Sequence, residues 1–337
     1  MIRLGIIGCG SMGTNHRERF GSLRGRMRLA GFADISLECA RKAAEENEGA
    51  VAVSDYRELF PHVDGVVVAV PHDLHFAIGS ECLRAGKHVL MEKPLALTEQ
   101  ECRDLIDMDT SPTPVLMVGY VMRHDPLWQA MGDMIQRCTY GQVFHAAIWT
   151  EQLTGVARHP WYGDAKRADG GQLFSHGCHY IDMLMDWLGD PVCGSHVGTN
   201  LGTPGMEREG TSNVCLKFGN GATGYHFGTW GARGSYLRYS AEAHAEEGLL
   251  HLDHDAGVIS LYRRREPTEI FRRSDPAGKP VARQMEAFLD CIENRRKPAT
   301  SAAVAFRGLQ VIWKLYDAED RGQLADLRGI ASASGDA

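Results

Sequence analysis

The chain has 337 residues, of which 44% are hydrophobic and 23% charged, and a formal net charge of -7. That composition belongs to ordinary globular proteins and the length suits two domains. An acidic balance with both signs dispersed argues against nucleic acid or an anionic membrane surface as a partner. No apolar stretch reaches the roughly 18 residues of a membrane span, and nothing near the start reads as a signal peptide. The nine cysteines are scattered and odd in number, so they read as reduced thiols in a cytoplasmic protein.

The first element is an apolar strand, Ile2 to Ile7. It breaks into Gly8-Cys9-Gly10-Ser11-Met12-Gly13, and a helix-compatible stretch, residues 14–20, follows at once. Strand, G-x-G-x-x-G and helix in that order are what a dinucleotide-binding unit requires. Gly8 allows the tight turn, Gly10 lets the backbone approach a pyrophosphate, and Gly13 lets the helix pack close on the strand. The free N–H groups of that helix then hold the phosphate charge. Residues 27–33 read as a second strand and end at Asp34, placed about 20 residues beyond the glycines to bond ribose hydroxyls. Cys9, inside the loop, is either a reactive thiol or a small buried side chain.

A helix follows over residues 36–47, a short strand at 51–53 and a helical turn at 55–60. The unalternated apolar run of residues 65–70 is a strand buried on both faces, as in a parallel sheet. A helix begins near Pro71–His75 and stops at Gly86. Residues 88–91 form the next strand, closed by Glu92-Lys93-Pro94. Thr98 with Glu101 forms a capping box for another helix. Residues 115–120 are the last strand of a doubly wound parallel sheet. The pattern then changes. A helix (125–137) and a strand (142–149) lead into a long polar loop, 151–169, which contains Trp161 and Tyr162. A helix spans 171–188. Strand candidates at 192–197, 212–218, 224–230, 237–241 and 258–262 describe a large open, mostly antiparallel sheet. Two helices, 281–294 and 301–320, close the chain. The expected organisation is a Rossmann domain at 1–122, an α/β domain at 123–325 with its last helix packing back toward the first domain, and a flexible tail at 326–337.

Four pieces together resemble the glucose–fructose oxidoreductase / inositol dehydrogenase (Gfo/Idh/MocA) family. They are Gly8-Cys9-Gly10-Ser11-Met12-Gly13; Pro71 with His75; Glu92-Lys93-Pro94; and Gly170-Gly171 followed by Gly177-Cys178-His179-Tyr180-Ile181-Asp182. The resemblance covers roughly residues 1 to 320. It implies an NAD(P)-dependent dehydrogenase acting on a CH–OH carbon of a sugar, sugar derivative or cyclic polyol. NAD is expected over NADP, because Asp34 repels a 2′-phosphate and neither Ile35 nor Ser36 supplies a positive charge. The resemblance places Pro71, His75, Glu92 and Lys93 on the cofactor side and suggests a cis Lys93–Pro94 bond.

Lys93 stands at the carboxyl end of a predicted strand, where its ammonium can hold the substrate oxygen. The family places its proton-transfer histidine at His179, an imidazole suited to that task near neutral pH. Ser175, His179 and Asp182 fall at i, i+4 and i+7 on one helix face, so Asp182 is expected to fix the His179 tautomer. The resemblance puts Arg123 on the substrate side, a surface arginine being the alternative. Trp161 and Tyr162 either stack on a sugar ring or anchor their loop. Two departures stand out: Ser175 replaces a carboxylate common in the family, and Trp161-Tyr162 replaces a common Trp-Arg pair. His72/His75, His176/His179 and His251/His254 are each three apart, but nothing in the spacing completes a zinc set, so no metal is expected. A glycosidase in which NAD is restored within each turnover, or a non-catalytic dinucleotide sensor, are the alternative activities. A homodimer or homotetramer is expected through the second domain's sheet, which two helices cannot cover.

Overall fold

A computed structural model describes residues 1–23, 25–109, 112–154, 160–274 and 278–330, the side chains of Ser22, Pro160 and Tyr162 excepted. The chain forms two compact units. The first comprises Met1–Val121 with Pro280–Phe306, and the second Met122–Lys279 with the residues from Arg307 on.

The first unit is built on six strands: β1 (Ile2–Ile7), β2 (Met27–Ala33), β3 (Val51–Val53), β4 (Gly65–Val68), β5 (His88–Met91) and β6 (Leu116–Val118). Their spatial order is β3-β2-β1-β4-β5-β6, and every neighbouring pair is parallel. This is the order of a dinucleotide-binding sheet, with its crossover between β1 and β4. Val66, Val67 and Val68 have no exposed surface, as an unalternated run in a doubly covered sheet requires. Thr98 caps helix Glu99–Met108 in a complete capping box with Glu101.

Helix Val281–Asn294 belongs to this unit. Val281, Met285, Phe288 and Leu289 bury one stripe at helical spacing. Arg26 holds the far end of the helix through Asp290 at 2.7 Å and Glu293 at 2.6 Å. The following helix, Ala302–Asp320, belongs to the first unit only up to Phe306.

The second unit adds nine strands: β7 (Val143–Glu151), β8 (Pro191–Thr199), β9 (Thr211–Phe218), β10 (Thr223–Thr229), β11 (Tyr239–Ala245), β12 (Gly248–Asp253), β13 (Val258–Tyr262), β14 (Pro267–Arg272) and β15 (Ala325–Asp326). They run β14-β13-β12-β11-β7-β10-β9-β8-β15, and only β7 and β10 pair in parallel. One face is apolar: Val214, Leu216 and Phe218 of β9 alternate with Asn213, Cys215 and Lys217, and Ala241 and Ala243 continue the buried row. Helices Pro126–Gln136 and Cys178–Leu188 pack on one another, with Trp128 stacked on Trp187 at 5.6 Å. β12 and β14 are not among the strand candidates, although Leu250 and Leu252 alternate with His251 and Asp253 along β12. Residues 326–330, expected in the tail, include packed positions: Leu327 donates its N–H to the Val192 carbonyl, and Leu327 and Ile330 are buried. Residues 331–337 lie outside the described residues. Among the described residues no helix is long and apolar enough to cross a membrane.

Candidate functional site

The glycine loop is wedged between strand ends. Gly8 has φ +93°, and a Cβ on it would fall 2.3 Å from the Ala69 carbonyl oxygen. A Cβ on Gly13 would fall 1.9 Å from the Gly8 carbonyl oxygen, so helix Ser11–Arg19 can start directly on the end of β1 only with glycine there. Gly10 differs. It is exposed, a Cβ there would meet nothing within 4 Å, and no side chain caps the helix. Open space beside the uncapped N–H groups of a helix start is what a pyrophosphate needs, so the loop fits a dinucleotide.

Asp34 closes the loop: its Oδ2 accepts from the Cys9 N–H at 2.8 Å and its Oδ1 from the Ser36 N–H at 2.9 Å. Burial, with Asp34 adding, pushes the Cys9 thiol up to about 12, so Cys9 is a neutral thiol and not a nucleophile. A cavity of about 270 Å³, lined by residues including Arg17, Phe20, Met27 and Asn47, lies by the amino end of β2. That is the wrong end of a parallel sheet for a nucleotide.

The neighbouring strand ends are tied to the same loop. Glu92 follows β5 and pairs through Oε1 with His16 Nε2 at 2.7 Å, one helical turn past Gly13. Its other oxygen fills the space left by Gly119, where a Cβ would come within 3.2 Å. Lys93 comes next, and its bond to Pro94 is cis. His75, expected on the cofactor side, is fully buried, and its ring is committed to the protein. Nδ1 faces the Pro94 carbonyl at 2.7 Å and Nε2 the Val70 carbonyl at 3.0 Å, which joins the loops after β4 and β5. Burial holds its pKa below the usual histidine range.

In the second unit the helix expected over 171–188 is interrupted. Leu173–Gly177 is a π-turn, and the α-helix runs Cys178–Leu188. Ser175 lies inside the π-turn, four residues before His179 on the helix that follows; π-turns of this kind recur at functional sites. Ser175 and His179 are both buried. The His179 ring stands edge-on to His176 at 6.0 Å and to Tyr180 at 6.1 Å.

Asp182 has a different partner from the expected one: Arg123 Nε and NH2 donate to its two oxygens at 2.6 and 2.9 Å. Arg123 also pairs with Asp186. Arg123 is therefore drawn into an ion pair inside its own unit, a role that spacing 59 residues apart could not reveal. Trp161 lies half-buried in the 3₁₀ turn Pro160–Gly163. The Tyr162 side chain lies outside the described residues. Among the described residues no group of three or more His, Cys, Asp or Glu side chains is arranged to hold a metal ion. Gln172 and Glu209, which meet the start of the π-turn, had no sequence signal beyond the adjoining glycines.

Two family models match the chain. One, described as an oxidoreductase family with an NAD-binding Rossmann fold, covers residues 2–120, and one described as the GFO/IDH/MocA C-terminal domain covers residues 128–251. Inositol 2-dehydrogenase 2 of Saccharopolyspora erythraea is 30% identical over 225 residues; the alignment takes in 65% of this chain and 64% of that protein, just under two thirds of its length. The 1,5-anhydro-D-fructose reductase of Ensifer adhaerens is 25% identical, covering 97% of this chain and 99% of the relative. The solved structure of levoglucosan dehydrogenase in complex with NADH and levoglucosan has a TM-score of 0.86 at 19% identity, covering 98% of this chain and 100% of the other; that likeness concerns the fold.

Two expectations follow. Gly10→Ala leaves the melting temperature nearly unchanged but weakens NAD binding by about tenfold or more, the value of one charge-assisted hydrogen bond. Gly13→Ala lowers stability itself. Calorimetry paired with NAD titration separates the two, and equal Tm losses in both variants would contradict the loop geometry.

The second concerns acid. His226 is fully buried, stacked on Tyr180 at 5.2 Å, and burial pushes its pKa down to about 4. The unfolded chain binds this proton from about pH 6.5 downward while the fold refuses it. Stability therefore falls between about pH 6.5 and 4, and His226→Gln makes that fall shallower in a series of pH-dependent melts.

Proposed function

The chain belongs to the GFO/IDH/MocA oxidoreductase family with its NAD-binding Rossmann fold, and from that premise we propose an NAD-dependent dehydrogenase. Its reaction transfers a hydride between nicotinamide and a secondary alcohol or ketone carbon of a sugar, sugar derivative or cyclic polyol. The observation that carries this reading is a shared strand edge. β1, β4 and β5 are parallel neighbours, so the Gly8–Gly13 loop, Pro71 and Lys93 stand side by side at their carboxyl ends. Open α/β sheets bind ligands there.

When bound, NAD supplies the hydride acceptor. The amides beginning helix Ser11–Arg19 hold the pyrophosphate, and Asp34 takes the ribose hydroxyls and disfavours a 2′-phosphate. Ile35 is exposed beside it without a charge to offset that repulsion. The Lys93 ammonium holds the reacting oxygen and stabilises negative charge as it develops. His179 takes the hydroxyl proton in oxidation and returns it in reduction. Ser175 cannot ionise as a carboxylate and orients its neighbours.

The cytoplasm is the proposed location, in keeping with nine cysteines that are all free thiols. A homodimer or homotetramer through the open sheet face accounts for Phe144 at 56% exposure and Val197 at 64% on its strands. Light scattering at micromolar concentration checks this, and a monomer excludes it.

Polyols, aldoses, uronates and nucleotide sugars assayed with NAD and NADP by nicotinamide absorbance test the activity. On the best substrate, Lys93→Met cuts kcat severely while NAD affinity changes little. His179→Ala loses about 10²–10⁴-fold and removes a titration near neutral pH from the rate profile. Near-wild-type turnover in both variants would overturn the assignment.

A further inference from the structure

The connection between β8 and β9 reaches two elements of the second unit at once. Glu209 is buried against the start of the π-turn. Its backbone carbonyl accepts from the Gln172 N–H at 2.8 Å, and its Oε1 accepts from the Leu173 N–H at 3.0 Å. The same oxygen accepts from the Tyr316 hydroxyl at 2.8 Å and from Ser212 at 3.3 Å. The Tyr316 oxygen in turn accepts from the N–H groups of Gly171 at 3.4 Å and Phe174 at 3.3 Å. A Cβ on Gly171 would fall 1.9 Å from the Glu209 carbonyl oxygen, so this glycine is the condition for the approach. A helix start leaves N–H groups without intrahelical partners, and a carboxylate there is held by charge-assisted bonds and by the helix dipole.

Two residues earlier, Glu207 binds the Trp161 turn. Its N–H donates to the Gly163 carbonyl at 3.2 Å, and its Oε2 accepts from the Ala165 N–H at 3.0 Å. The Asp164 N–H closes that turn on the Trp161 carbonyl at 3.3 Å.

We propose that residues 207–209 are a positioning clamp: Glu209 sets the start of the helix that presents His179, and Glu207 sets the turn that presents Trp161. The assignment rests on the reading of His179 as the proton-transfer residue and, of the two readings of Trp161, on the one in which its ring stacks on a sugar. Neither glutamate is a catalytic residue; each acts through the segment it holds. The two variants therefore part in kinetics. Glu209→Ala lowers kcat by about 10- to 10²-fold, the cost of a misplaced catalytic group, with KM and NAD affinity little changed. Glu209→Gln recovers most of that loss, because a carboxamide oxygen still accepts from Leu173 and Tyr316. Glu207→Ala raises KM several-fold with kcat nearly retained.

Amide hydrogen exchange of residues 171–174 reads the clamp without activity, and protection there falls in Glu209→Ala and returns in Glu209→Gln. A Glu209→Ala protein with unchanged exchange and with kcat within twofold of wild type overturns the proposal. So does one whose Tm falls while kcat per folded molecule is unchanged. If the wild-type protein turns over no polyol or sugar, the functional reading fails, and the exchange measurement alone then decides on the clamp.

Discussion

The carbonyl oxygen of Gly8 lies where a side chain on residue 13 would have to stand. That single backbone contact places the first helix directly on the end of β1. It aims the helix amides over the carboxyl edge of the parallel sheet, where three further strand ends arrive. Asp34 at the end of β2 takes the Cys9 amide, Ala69 beyond β4 crowds Gly8, and Glu92 beyond β5 reaches back to His16. The glycine loop is thus shaped mainly by main chain, and at Gly8 and Gly13 a side chain larger than hydrogen is excluded for steric reasons rather than chemical ones.

Within each unit, buried polar side chains stand in pairs. Glu92 with His16, Arg123 with Asp182, and Glu209 with Tyr316 are each withdrawn from water and satisfied by a partner on a distant stretch of chain. Buried ion pairs are weak sources of stability, because desolvation offsets most of the attraction. Their value is geometric: each ties one loop or helix to a distant stretch of the chain in a defined arrangement.

The second unit's sheet accounts for its glycines in the same terms. A Cβ on Gly228 would fall 2.1 Å from the Gln172 side chain, and one on Gly177 would meet Leu173 at 2.8 Å. These positions are empty so that the π-turn can sink against β10. The same sheet keeps its opposite face polar and apolar by turns, with Asn213, Cys215 and Lys217 beside Tyr225 and Phe144.

The sequence by itself determined what depends on neighbours within a turn or a strand. The Gly8–Gly13 loop, the buried run of β4, the capping box at Thr98 and Glu101, and the bounds of helix Val281–Asn294 were all readable, because backbone sterics and hydrophobic period act over a few residues. Only the tertiary structure decided which unit that last helix joins. Its placement depends on Arg26 meeting Asp290, 264 residues away, and on an apolar stripe that several surfaces could have covered. Tertiary packing also set the buried His75 ring between two carbonyls and gave Asp182 to Arg123 where helical periodicity pointed to His179. It turned the helix through Ser175 into a π-turn, and it brought Glu209 to an amide 36 positions away. Partner choice for a buried polar group is a property of the packed whole, since many candidates are chemically equivalent until the chain is folded.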